Sequence, residues 1–102
     1  MTYEERWEAF KVFHNDNPDI AARLACMAIQ MIEVGVTNWP IRNLWEVMKF
    51  RLRKEGKRDL SMDDEFAPFY ARLIMQRHPN QLRGLFTLRG DIPEHLPLEQ
   101  LA

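Results

Sequence analysis

The sequence predicts a mainly α fold: a compact bundle of about four helices with a short two-stranded β-ribbon, helix-turn-helix or winged-helix-like in outline. Three observations predict it. Apolar residues recur at three- and four-residue steps in four separate stretches. Proline or glycine punctuates the ends of those stretches. Strand-like alternation is confined to two short segments, around Leu60–Met62 and Leu85–Leu88. The 102 residues make one ordinary domain, taken as 1–90, with a tail at 91–102. Hydrophobic residues at 46% and charged residues at 28% set the chain apart from disordered sequences. In so small a domain most of the aromatic side chains, Trp7, Trp39 and Trp45 among them, belong inside.

The first helix is expected over Tyr3–His14, where Tyr3, Trp7, Phe10 and Phe13 form one stripe and Glu4, Glu5 and Glu8 suit the positive end of the dipole. In "HNDNPDI", Asn17 is the expected N-cap and Pro18 the first residue of a second helix, about 18–34. This is the most apolar segment, and it is read as the central, most buried helix, closed by Gly35 in a left-handed cap. The third helix opens at Pro40 and runs to about Lys54. Ile41, Leu44, Trp45, Met48 and Leu52 face inward, and Arg42, Glu46, Lys49 and Arg53 face outward. A helix, a short turn and an amphipathic helix with a basic outer side is the local pattern of a helix-turn-helix, and equally of an antiparallel pair in a bundle. The fourth helix is expected from Pro68 to His78, stopped by Pro79. Leu60–Met62 and "LFTL" at 85–88 are the expected ribbon, and the tail is either loose or docked by Ile92, Leu96 and Leu98.

The single cysteine, Cys26, excludes an internal disulfide and points to a reducing, cytoplasmic setting. Its neighbours Ala25 and Met27 suggest an inert core position. A charged N-terminus, "MTYEERWEAF", is not a signal sequence, and no apolar run approaches the roughly 20 residues of a membrane span. Net charge is −1, but unevenly spread: residues 1–39 and 90–102 each carry −3, and residues 40–89 carry +5. A positive middle points to a polyanion or acidic partner. The overall pI near 6.3 points away from a dedicated nucleic-acid domain.

No enzyme chemistry is called for by the inventory. No phosphate-binding glycine loop can be written, and Ser61, the only serine, has no histidine beside it. His14, Cys26, His78 and His95 lack zinc-ligand spacing, so neither a metal nor another cofactor is implied. Asp63, Asp64 and Glu65 could hold Mg²⁺, but acids before a helix are also what capping requires. Arg72, with Tyr70, is either a phosphate contact or, since it lies between inner-face Ala71 and Leu73, an internal salt bridge to the 63–65 acids, a role open also to Arg89.

The strongest signal is the run "EVMKFRLRKEGKR". A helix dipole accounts for two or three cations in its last turn, not for six. The candidate nucleic-acid-binding residues are therefore Arg42, Lys49, Arg51, Arg53, Lys54, Lys57 and Arg58, with the 56–62 loop as a wing. The alternative partner is a host protein, bound by an inhibitor or adaptor.

"FHNDNP" (Phe13–Pro18), "NLWEVMKFRLR" and "FAPFYARLIMQRHP…GLFTLR" together resemble segments of small uncharacterised phage and prophage proteins, over about residues 10–89. That resemblance implies a phage or prophage accessory protein and carries no mechanism. The family pattern has an asparagine-rich turn where this chain has Asp63-Asp64-Glu65.

Overall fold

A capping box starts the first helix. Thr2 Oγ1 accepts from the Glu5 N–H at 3.2 Å, and the Glu5 carboxylate accepts from the Thr2 N–H at 3.2 Å. Those bonds hold the Glu5 carboxyl below its ordinary range. The computed structural model describes every residue except Met1, Thr37, Arg58, Asp59, Thr87, Arg89, Asp91, Glu94 and Ala102. Among the described residues the chain is a bundle of five helices: α1 (Tyr3–Asp16), α2 (Asp19–Glu33), α3 (Ile41–Lys54), α4 (Ala67–Arg77) and the single turn α5 (Pro79–Leu82). Short 3-10 turns cover Asp64–Phe66 and Leu98–Gln100. None of the helices is long and apolar enough to cross a membrane.

The four expected helices are present. Asn17, however, closes α1 rather than opening α2: its Nδ2 donates to the Phe13 carbonyl at 3.0 Å, and α2 starts without a side-chain cap. The orphan carbonyl at the end of α1 orients the Asn17 side chain by accepting from its N–H, and the side-chain oxygen caps no amide of α2. Glycines close α2 and α3 in the same way. Gly35 has φ +92°, with the Val36 N–H on the Met31 carbonyl and the Gly35 N–H on Ile32. Gly56 has φ +89°, with Lys57 on Leu52 and Gly56 on Arg53. Both are Schellman caps, in which a left-handed residue lets two terminal carbonyls find donors.

α4, not α2, is the hub. It packs against α2, α3, α5 and the 3-10 turn before it, and every residue from Ala67 to Ile74 is buried. Rings from three directions converge there. Phe10 stacks on Phe69 at 5.0 Å and meets Tyr70 edge-on at 4.9 Å, Phe13 meets Phe66 at 4.8 Å, and Trp45 stacks on Tyr70 at 5.4 Å. His14 lies wholly inside this cluster, stacked on Phe10 at 5.9 Å. Burial pushes the Tyr70 hydroxyl far above its ordinary value of 10.0, so it stays protonated.

Arg72 explains why α4 misleads as a sequence. The guanidinium is buried and makes no bond to the 63–65 acids. Instead Nε donates to the Pro93 carbonyl at 2.8 Å, Nη1 to Pro68 at 2.9 Å and Nη2 to Ile92 at 3.1 Å. Its planar fork thus ties the chain at Ile92 and Pro93 to the core. Gln76 repeats the device, donating to the Leu96 carbonyl at 3.2 Å and accepting from the Leu96 N–H at 2.8 Å. Ile92 and Leu96 are buried beside it, and Trp7 Nε1 donates to Gln100 at 3.1 Å.

No strand forms among the described residues. Leu60–Met62 is irregular, and Leu85 and Phe86 lie in a bend, whereas Thr87, Asp59 and Arg89 fall outside the described residues. Leu85 and Phe86 are both buried, and successive residues of a one-faced ribbon cannot both point inward. The Leu85 carbonyl accepts instead from the Trp39 N–H at 3.2 Å, fastening the α2–α3 connection.

Candidate nucleic-acid interface

Three elements decide the fate of the basic run: the inner face of α3, its glycine cap, and the acidic turn before α4. Leu44, Trp45, Met48 and Leu52 are all buried, which fixes the roll of α3 and turns its remaining sides outward. The acidic turn packs against the first two-thirds of the helix. Lys49 Nζ donates to Asp64 at 2.8 Å and lies 2.7 Å from Glu46, and Arg42 Nη2 is 3.7 Å from Asp64. The hydrogen bond from Lys49 holds the Asp64 carboxyl below its ordinary value, and Asp64 in turn raises Lys49.

The other members of the acidic triplet point elsewhere. Asp63 caps the 3-10 turn by accepting from the Glu65 N–H at 2.9 Å, and Glu65 reaches Arg6 at 3.3 Å. The three carboxylates therefore serve separate partners rather than converging on one ion, and the described residues contain no metal-holding group of His, Cys, Asp and Glu.

Beyond the cap, Lys57 Nζ lies 3.9 Å from Asp19, and Arg58 is outside the described residues. Arg23 forks onto Glu55, with Nη1 to Oε1 at 2.9 Å and a second bond from Nη2 to Oε2, which holds the Glu55 carboxyl below its ordinary range. Arg51, Arg53 and Lys54 remain. All three are exposed in the last turn of α3 and make no ion pair among the described residues. The seven candidates thus divide into three partly neutralised cations, three open ones and one outside the described residues.

Among the open cations stands a residue the inner-face pattern does not include. Phe50 is 62% exposed, and Lys54 Nζ sits 5.6 Å from its ring centroid. Its helical neighbours at three and four residues are Val47, Arg53, Glu46 and Lys54. The signal was available: Met48 and Leu52 take the inner face, so Phe50 between them must point away from it.

Other candidates change role. Cys26 is exposed, its Sγ 3.8 Å from Gln30 Nε2, because Leu24, Ala25, Met27 and Ala28 take the inner face of α2. Tyr70 and Arg72 are core residues closed to phosphate. Comparison with protein-family models, with curated proteins and with solved structures finds no match for this chain.

Proposed function

We propose that the protein binds nucleic acid through the outer, C-terminal end of α3, using Arg51, Arg53 and Lys54, with Lys57 and Arg58 of the following loop. One observation carries this reading: Arg53 and Lys54, which make no ion pair among the described residues, adjoin an exposed phenylalanine, with Arg51 in the same last turn. The helix dipole accounts for cations in a last turn, but not for an aromatic ring left in water among them. Arg42 and Lys49, already held by Asp64, take a secondary part. In this reading the end of α3 and the loop after Gly56 are the parts that a helix-turn-helix or winged-helix protein would use as recognition helix and wing, with no need for α3 to sit in a duplex groove. An exposed lone thiol fits a reducing, cytoplasmic compartment, and the phage or prophage setting rests on the resemblance of the quoted segments alone. The test is fluorescence anisotropy with labelled nucleic acid across a salt series. About three to four neutralised phosphates give a log–log slope of roughly −2 to −4. Binding that is absent at low salt, or indifferent to salt, contradicts the proposal.

A second reading, a protein-binding inhibitor or adaptor acting on a host factor, is favoured by a different observation. A groove of about 380 Å³ between α2 and α3 is lined by Met27, Met31, Val34, Trp39, Leu44 and Val47, with Arg51 at its edge. An apolar segment with an acidic flank fits it. Val47→Glu would abolish such an interaction.

A further inference from the structure

We infer that the ligand of this face is single-stranded nucleic acid, one base stacking on the Phe50 ring while Arg51, Arg53 and Lys54 hold the adjoining phosphates. The inference rests on the nucleic-acid reading above and specifies its substrate.

Two features of α3 carry it. The first is the length of the open basic surface. Arg51 to Lys54 is one helical turn, about 5 Å of rise. The major groove of a duplex is about 12 Å wide, and a helix seated in it needs cations for the strands on both borders. The first part of α3 does not supply them: Arg42 and Lys49 are tied to Asp64, and Glu46 is exposed on the outer side. One turn of cations is enough for the phosphates next to a single stacked base.

The second feature is the ring itself. Phe50 is flanked by Arg53 and Lys54 on the C-terminal side and by Glu46 and Val47 on the N-terminal side. Duplex base edges offer it only an occasional thymine methyl, whereas an unstacked base of any identity offers a whole π-face. Lys54 lies over the ring in the unliganded chain and is placed to pass to a phosphate when a base arrives. The open cations lie on the C-terminal side of Phe50, whereas Glu46 on its other side is taken by Lys49, so the strand runs from the ring towards Lys54 and the Gly56 turn. Recognition of this kind is tolerant of sequence, since it uses stacking and charge without base-edge hydrogen bonds.

The experiment measures anisotropy of a short labelled oligothymidylate and of its duplex with oligoadenylate, at low salt, for the wild type, Phe50→Ala, Phe50→Tyr and Arg53→Glu/Lys54→Glu. Circular dichroism melts verify that each variant is folded, which an exposed side chain allows. The inference predicts that single strand binds at least about tenfold tighter than duplex. Phe50→Ala weakens single-strand binding about tenfold or more without altering the salt slope, and Phe50→Tyr restores it. Equal binding of both forms, with Phe50→Ala neutral and the charge reversal abolishing binding, overturns the single-strand inference and leaves the nucleic-acid reading standing. No binding of either form overturns both. Phe50-dependent dimerisation in sedimentation, without nucleic-acid binding, assigns the ring to self-association and likewise overturns both.

Discussion

The first two-thirds of α3 and its last turn carry similar numbers of cations in different surroundings. Arg42 and Lys49 face the acidic turn before α4, and Asp64 engages both. Arg51, Arg53 and Lys54 are exposed and make no ion pair among the described residues, with Arg53 and Lys54 beside Phe50 and only the charge of Glu55 acting on Arg51. The run is continuous in the sequence and divided in the fold, and the residue that divides it lies 15 positions beyond Lys49. Positive charge in a sequence therefore measures potential contact with an anion, and tertiary neighbours decide how much of it is available. Arg72 is the extreme case, a buried arginine whose Nε, Nη1 and Nη2 all donate to backbone carbonyls.

That extreme gives the largest expected effect. Arg72→Met removes three charge-assisted hydrogen bonds and leaves the buried Ile92 carbonyl and the part-buried Pro93 carbonyl short of a donor, at a cost of about 3 kcal/mol or more. For a domain this size that lowers Tm by roughly 12 °C or more, and protease cutting near the C-terminal segment should rise in parallel. A variant that melts with the wild type would break the contrast between structural and available arginines. The next effect bears on the open turn. Arg53→Glu with Lys54→Glu should abolish nucleic-acid binding while leaving Tm nearly unchanged, since solvent-facing substitutions seldom move stability by more than about 0.5 kcal/mol.

A subtler test converts one region into the other. Asp64→Asn keeps the shape and removes the charge, releasing Arg42 and leaving Lys49 with Glu46 alone. The lost ion pairs are half-exposed and worth less than about 1 kcal/mol. Binding should nevertheless tighten a few-fold, and the salt slope should steepen by about one unit. The smallest effect is the pH dependence. Hydrogen bonds from Lys49 and Arg23 hold the Asp64 and Glu55 carboxyls below their ordinary values of 3.8 and 4.5. As pH falls through that range the unfolded chain takes up protons that the folded chain does not. The contribution is therefore complete above the ordinary values and is lost as pH drops towards the lowered ones. Thermal melts should show this decline, and Asp64→Asn should make it shallower.

Much of the fold could be read in advance because its signals are local. Helical periodicity, Pro18, Pro40 and Pro79 as punctuation, and glycines at the ends of α2 and α3 each depend on a few neighbouring residues. The errors arose where distant residues decide. Asn17 has one side chain and two helix ends competing for it, and the end of α1 orients it. α2 is the more apolar helix, yet α4 is the more buried, because Arg72 and Gln76 are drawn inside by the carbonyls of the C-terminal segment. Cys26 has apolar neighbours in sequence but points out between them. At the candidate site the cations were legible and their division was not, since it depends on where α4's leading turn docks. Phe50 was legible from helical phase alone.

The most direct test of the divided run is the salt dependence of nucleic-acid affinity for the wild type, Asp64→Asn and Arg53→Glu/Lys54→Glu, measured side by side. The account predicts a moderate slope for the wild type, a steeper slope with tighter binding for Asp64→Asn, and no measurable binding for the charge reversal. Identical behaviour of all three, or weaker binding on loss of the Asp64 charge, would contradict it.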